Sequence, residues 1–277
     1  MVFVALLLSI LSQVSGFPTL ESKPPELTMR IESGQSIVAS SHENTLLCTI
    51  EIPPEYHIYW CSAGASGVPT EIVVDAPEWC AVGPVRYPRP TVFSSAEGDT
   101  YGYEDAVTFV IPFVPDPSIE PLEIGVTARW LACRKVCYMG SDSQRIRLQH
   151  AGHIVNSPTP ACTAAMAVMP QPIADRPDTV AKVEDGTLIV TGPVGEAGEP
   201  SFIPRDIPGV VPGEPTLHLD ESRFRLVVPF EYRAEDALGA DPVISGLLLE
   251  GTERTQPAWA ITMAIPLAGE VEEDIPE

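Results

Sequence analysis

Residues 125–137 read Gly-Val-Thr-Ala-Arg-Trp-Leu-Ala-Cys-Arg-Lys-Val-Cys and place two cysteines four positions apart. In a straight strand, positions four apart are separated by about 13 Å, which is too far for a disulfide bond. In a hairpin with a three-residue loop, the flanking residues face each other with about 5.5 Å between their Cα atoms. A helical turn also brings such positions together, but the strand-like run before Cys133 favours a hairpin or tight bend that joins Cys133 to Cys137.

The Cys133/Cys137 pair has the properties of a redox-active disulfide. A ring closed by so few residues restricts little chain entropy, so it stabilises less than a long-range bridge. A short, exposed bridge is also easier to reduce. Arg134 and Lys135 lie between the two cysteines, and their positive charge favours thiolates. The alternative interpretation is a disulfide that only staples the hairpin.

The wider segment of residues 24–150 is typical of an all-β unit. Short runs alternate between apolar and polar residues or are rich in β-branched and aromatic residues. The predicted strands are residues 27–31, 45–52, 57–60, 107–114, 124–131 and 145–148. Glycines and prolines between residues 64 and 90 predict loops. Many short strands with such turns are typical of a sandwich or a barrel.

Residues 151–177 predict a linker with a short helix. Thr159 is a suitable N-cap, and Pro160 suits the first helical position. The following alanine-rich segment, residues 161–168, ends before Pro170 and Pro172. An irregular loop is the alternative.

Residues 178–270 predict a second β unit. Asp185-Gly186 separates two β-prone runs and is a strong signal for a two-residue hairpin. This unit contains His218 but no cysteine, so we expect it to be dispensable for thiol chemistry. Residues 271–277 form an acidic tail with few apolar residues.

Composition narrows the function classes. The chain has 277 residues, 38 acidic and 16 basic side chains, and a formal net charge of -22. A basic surface for nucleic acid or for an anionic membrane is therefore not expected. The 30 prolines exclude a mostly helical protein, because interior prolines break helices. No phosphate-binding loop, GxSxG or HExxH motif is present.

The N-terminus resembles a secretory signal. Residues 2–11 are almost continuously apolar, and Val14-Ser15-Gly16 offers small residues for cleavage. We therefore expect residues 1–16 to be a signal peptide, with a buried N-terminal strand as the alternative. No later apolar run is long enough to span a bilayer, so the mature chain is expected to be exported without a membrane span.

Several segments resemble one family in the same order. Residues 130–137, Trp-Leu-Ala-Cys followed by Cys137, are similar to the W-L-x-C-x-x-x-C segment of the N-terminal exported region of DsbD/ScsB-type thiol:disulfide interchange proteins. Residues 57–60 with 64–70, residues 87–90, residues 101–104 and residues 201–209 resemble further family segments. The resemblance covers roughly residues 40–265.

The resemblance implies two immunoglobulin-like β-sandwiches joined by the short helical, proline-bounded linker. It implies a redox pair in the first sandwich, with Cys137 contacting the partner and Cys133 resolving the mixed disulfide, and a periplasmic location. Arg134, Lys135 and Trp130 would support the pair, and Tyr101 would shield it as part of a cap loop. An ordinary half-buried aromatic is the alternative for Tyr101.

The resemblance also implies partners but no cofactor or metal. The expected partners are exported thioredoxin-like proteins. Family members continue into a membrane electron-transfer domain and a thioredoxin-like domain, and because neither precedes Glu277, we expect a separate membrane electron donor. The other hypothesis for function is a non-enzymatic, immunoglobulin-like binding or assembly protein whose disulfides are all structural.

Four further cysteines lie outside the hairpin pair. Cys61 and Cys80 lie beside glycine- and proline-rich loops and are interpreted as an added structural bridge. A bridge between Cys48 and Cys162, or two free buried thiols, are both open. Two metal sites are alternatives: a zinc site using the hairpin cysteines with His150 and His153, and a copper site using histidine, methionine and cysteine, for example Met139 near Cys137.

Overall fold

The computed structural model describes residues 23–35, 42–116, 121–148, 157–239 and 242–266. The predicted signal peptide, the acidic tail, His150 and His153 lie outside these residues. Within them the chain is almost entirely β, as the sequence predicts. None of the helices in these ranges is long and apolar enough to cross a membrane.

Among the residues that the structure describes, ten strands form the first sandwich. They are β1 Thr28–Ser33, β2 Asn44–Glu51, β3 Ile58–Gly64, β4 Glu71–Asp75, β5 Cys80–Val82, β6 Thr91–Ser95, β7 Gly98–Tyr103, β8 Ala106–Pro115, β9 Leu122–Cys133 and β10 Cys137–Leu148. They assemble into sheets of order β1-β2-β8-β5, β10-β9-β4 and β3-β7-β6, and the pairing between neighbours is antiparallel. The prediction of loops between residues 64 and 90 was wrong in part, because β4 and β5 lie there with the glycines and prolines at their ends.

The linker helix and nine further strands follow. They are α1 Pro160–Ala167, β11 Gln171–Pro172, β12 Val180–Glu184, β13 Thr187–Pro193, β14 Pro200–Pro204, β15 Val210–Pro212, β16 Thr216–Asp220, β17 Arg223–Tyr232, β18 Val243–Glu250 and β19 Ala258–Ala264. Two sheets, β11-β19-β18-β14 and β12-β13-β17-β15 with β16 on β17, make the second sandwich. The architecture is that of two immunoglobulin-like sandwiches, as predicted.

Two local sequence signals are confirmed. Asp185 and Gly186 both have positive φ, 46° and 68°, as a type I′ hairpin turn between β12 and β13 requires. The side chain of Thr159 accepts a hydrogen bond from the Cys162 N–H and caps α1, with Pro160 as its first residue. Both elements follow from local residue chemistry alone.

Strand β2 is buried on both faces, which explains its continuous apolar run. Cys48 points into the core between the sheets of the first sandwich. Leu47 points the other way and packs with Cys162 and Ala165 of α1. The linker helix therefore covers the outer face of the first sandwich.

The apolar core of the first sandwich extends into the second sandwich, which also has a core of its own. Ile203, Leu247, Leu249 and Ala258 of the second sandwich belong to the cluster that fills the first. Polar contacts accompany it, since the side chain of Arg89 reaches three backbone carbonyls of the second sandwich. The second sandwich therefore stabilises the first, and removing it would expose apolar surface.

Candidate functional site

The predicted hairpin forms at the end of β9 and β10. Cys133 and Cys137 are cross-strand partners, residues 134–136 make the loop, and a disulfide joins the two cysteines with 4.1 Å between their Cα atoms. This is closer than the 5.5 Å expected. Both backbone groups of Cys133 are bonded to His57, at 2.9 and 3.0 Å. Cys133 and Cys137 therefore form a non-hydrogen-bonded pair, in which the two Cα atoms lie closer together than in a hydrogen-bonded pair.

The two cysteines differ strongly in exposure. Cys133 is only 3% exposed and packs with Tyr59, Ala63 and Leu131. Cys137 is exposed at the start of β10. One end of the disulfide is thus accessible to a partner protein, and the other is held inside the domain.

Aromatic rings cluster around His57, the residue that pairs with Cys133. The His57 ring lies 5.0 Å from the Phe93 ring and 5.2 Å from the Tyr59 ring, between centroids. Gly67, with a φ of 104°, lies directly on the Tyr59 ring, where any Cβ would clash. The loop that carries Gly67 and the Tyr59 ring therefore restrict each other's position.

Tyr101 does not occupy the predicted position over the disulfide. It is buried in the main core, where its ring meets Trp60 edge-on at 6.3 Å. In the β6/β7 register, Tyr101 pairs with Val92, whereas Phe93 pairs with Thr100 and so faces the opposite side. Phe93, which sequence reasoning missed, is the aromatic residue of this hairpin that lies on the His57 side.

The charges predicted in the loop are present. Arg134 forms an ion pair with Glu55 at 3.0 Å and lies over the Tyr56 ring at 5.9 Å. Lys135 is exposed at the tip. Glu55 therefore offsets part of the charge of Arg134 at the hairpin tip.

Trp130 supports the hairpin from the core side. Its side chain is 5% exposed and belongs to the main core. Gly140 is its cross-strand partner, and a Cβ there would lie 2.5 Å from the indole nitrogen. Trp130 is therefore a buried packing residue of the main core.

Comparison with known proteins places this hairpin in a family. Residues 29–148 match the sequence model described as "Thiol:disulfide interchange protein DsbD, N-terminal". These residues span most of the first sandwich, which is therefore similar to the DsbD N-terminal domain. No curated protein sequence matches the chain significantly. The resemblance inferred from the sequence is confirmed, and both hairpin cysteines lie within the matched residues.

The fold extends the similarity beyond the DsbD N-terminal match. The crystal structure of the N-terminal periplasmic domain of ScsB from Proteus mirabilis superposes with a TM-score of 0.58 at 18% sequence identity. The match covers 90% of this chain and 97% of that domain. The second sandwich is thus part of a shared two-sandwich architecture.

The predicted bridge between Cys61 and Cys80 is wrong, because both cysteines are free. Cys61 lies on β3, which pairs with β7, whereas Cys80 begins β5, which pairs with β8 in another sheet. Burial raises the pKa of Cys61 to about 11 and also raises that of Cys80. Both are held as thiols rather than thiolates.

Cys48 and Cys162 are also free. Their side chains lie on opposite faces of β2, so a bridge through the sheet is excluded. Burial, assisted by the charge of Asp142, raises the pKa of Cys48 to about 12. The sequence left open a bridge between Cys48 and Cys162 or two free buried thiols, and the structure has the free buried thiols.

The described residues contain no group of three or more side chains arranged to hold a metal ion. Met139 is exposed on β10, two positions from Cys137. Since His150 and His153 lie outside the described residues, the zinc alternative stays a prediction. The chemistry that the described site offers is that of the two sulfurs.

Proposed function

We propose that this chain is an exported, periplasmic thiol:disulfide interchange module that passes electrons through Cys133 and Cys137 to a partner protein. The family of the first sandwich supports interchange chemistry. The observation that carries the proposal is the unequal exposure of the two sulfurs, with Cys133 buried and Cys137 exposed. Exported thioredoxin-like proteins are the proposed acceptors, and a separate membrane protein is the proposed donor.

Transfer proceeds in two exchange steps. In the reduced module, the Cys137 thiolate attacks a sulfur of the partner's disulfide, and one partner thiolate leaves. The Cys133 thiolate then attacks the Cys137 sulfur, forms the disulfide and releases the second partner thiolate. Two electrons and, after protonation, two protons have passed to the partner. Lys135 and Arg134 favour the Cys137 thiolate before attack.

Trapping of the mixed disulfide tests this assignment. Cys133→Ser leaves Cys137 without a resolving partner, so a covalent complex with an exported thioredoxin-like protein persists on a non-reducing gel. In the matched variant, Cys137→Ser, the remaining hairpin sulfur is the buried one of Cys133. We expect this variant to trap at most about a tenth as much complex as Cys133→Ser. Equal trapping by the two variants would show that the roles are misassigned.

Mild reduction separates this function from a structural one. Glutathione is expected to open the disulfide while the protein stays folded, because Cys137 is accessible. If no thiols appear before unfolding and neither variant traps a partner, the chain is better explained as a binding protein with a structural disulfide.

A further inference from the structure

His57 lies directly beside Cys133, on the neighbouring strand edge. The two residues exchange both backbone hydrogen bonds, His57 N–H to the Cys133 carbonyl at 3.0 Å and the reverse at 2.9 Å. Residues paired in this way point their side chains to the same face, with Cβ atoms about 4.5–5.5 Å apart. The imidazole and the buried sulfur are therefore neighbours on the site face.

The environment keeps the imidazole ring in place and uncharged. Phe93 and Tyr59 flank the ring. Burial lowers the pKa of His57, and the nearby charge of Glu104 opposes this in part. The ring is therefore neutral near pH 7 and has a free nitrogen lone pair.

Glu104 and Tyr59 are titratable neighbours of His57. The carboxylate of Glu104 favours the protonated imidazole and so opposes the effect of burial on the pKa of His57. Burial raises the pKa of Tyr59, whose ring contacts the imidazole, so its phenol stays protonated at neutral pH. At the hairpin tip, Arg134 is paired with Glu55, and Lys135 follows it in the loop.

The buried thiol needs a base within the protein. Cys133 is 3% exposed, so solvent has little access to its proton. Burial also disfavours the thiolate, which is the form that attacks a disulfide. His57 is the neutral titratable group that the backbone pairing places opposite this sulfur.

We propose that His57 accepts the proton of the Cys133 thiol when Cys133 resolves the mixed disulfide on Cys137. The Cys133 sulfur forms a bond to the Cys137 sulfur, the Cys137–partner bond breaks, and the partner sulfur leaves as a thiolate. The imidazolium then releases its proton to solvent. The inference rests on the proposed function, because it describes its second step.

Reaction of the reduced full-length chain with 5,5′-dithiobis(2-nitrobenzoate) isolates that step. Attack by Cys137 releases one thionitrobenzoate, and attack by Cys133 on the resulting adduct releases a second. Stopped-flow absorbance resolves the two phases. In His57→Gln we expect the second phase at pH 7 to slow by about 100-fold, the lower end of the effect of a general base. His218→Gln, in the second sandwich, is the control and keeps the wild-type rate.

The pH profile distinguishes a proton acceptor from a packing residue. The wild-type second phase rises as His57 loses its proton and then levels, whereas in His57→Gln this inflection is absent. A variant with the wild-type inflection and a rate within about twofold of wild type overturns the inference. Loss of the first phase in the wild type would instead overturn the proposed function.

A measurement on the wild-type protein keeps the test valid if His57→Gln does not fold. The imidazole signals are titrated by NMR in the oxidised and reduced protein. The midpoint of His57 is expected to change with oxidation state, because only the reduced state offers a thiol proton, and His218 is expected not to change. Identical His57 midpoints in the two states overturn the inference.

Discussion

Arg89→Ala tests the coupling between the two sandwiches. The Arg89 side chain is 2% exposed, although it carries a charge, and it donates hydrogen bonds to carbonyls of the second sandwich. The distances are 2.7 Å to Glu250, 2.7 Å to Pro257 and 2.5 Å to Gly251. Removing the side chain therefore breaks contacts between the sandwiches without altering the apolar core that they share.

The free-energy cost follows from which acceptors lose their partners. The Pro257 carbonyl keeps the Glu250 N–H at 3.1 Å, so the carbonyls of Glu250 and Gly251 are the ones affected. Leaving each acceptor unsatisfied costs about 1–3 kcal/mol. The buried Arg89 Nε has no hydrogen-bond partner among the described residues, and removing it returns about 1 kcal/mol. We expect a net loss of about 3 kcal/mol in the free energy of unfolding, within the range for a broken buried charge contact.

Urea denaturation followed by tryptophan fluorescence measures this loss. Trp60 and Trp130 report on the first sandwich and Trp259 on the second. The matched control is Arg86→Ala, since Arg86 forms only an exposed ion pair with Glu43 at 3.3 Å and is expected to cost less than about 1 kcal/mol. If Arg89→Ala costs no more than Arg86→Ala, the proposed coupling through Arg89 is refuted.

Two further outcomes test the packing of the site and the state of the free cysteines. Gly140→Val forces a side chain against Trp130 and is expected to lower the free energy of unfolding by about 1–3 kcal/mol, as measured in urea; an unchanged midpoint would contradict the packing described. In the reduced native protein, the thiol reagent is expected to titrate only the hairpin pair. Cys61 and the other three free cysteines are protected, because they are buried or have raised pKa values. In urea, all 6 cysteines are expected to react. Rapid native reaction of more than two thiols would show that these cysteines are not protected.

The hairpin was predictable because its determinants are local. Two cysteines four positions apart, after a strand-like run, allow few geometries that bring the sulfurs together. The sequence placed the preceding strand at residues 124–131, and the structure extends it to Leu122–Cys133. The helix start at Thr159 and the turn at Asp185-Gly186 were local signals of the same kind.

The surroundings of the pair were not predictable because they depend on distant segments. Burial of Cys133 requires β3 to reach the hairpin through His57, 76 positions away in the chain. Phe93 lies on β6, and which face it occupies is set by the β6/β7 register. The error over Cys61 and Cys80 has the same cause, because the loops beside them do not specify which sheet β3 and β5 join.

The unequal exposure of the two sulfurs also bears on oxidative damage. A peroxide that reaches the reduced protein meets Cys137 first and converts it to a sulfenic acid. Cys133 lies across the hairpin, so its thiol condenses with that group, releases water and restores the disulfide before further oxygen is added. The product is the same oxidised state that normal turnover generates, and any donor able to reduce that state also repairs the injury. Because Cys133 is 3% exposed, peroxide has little direct access to it, and its thiol stays available for this condensation.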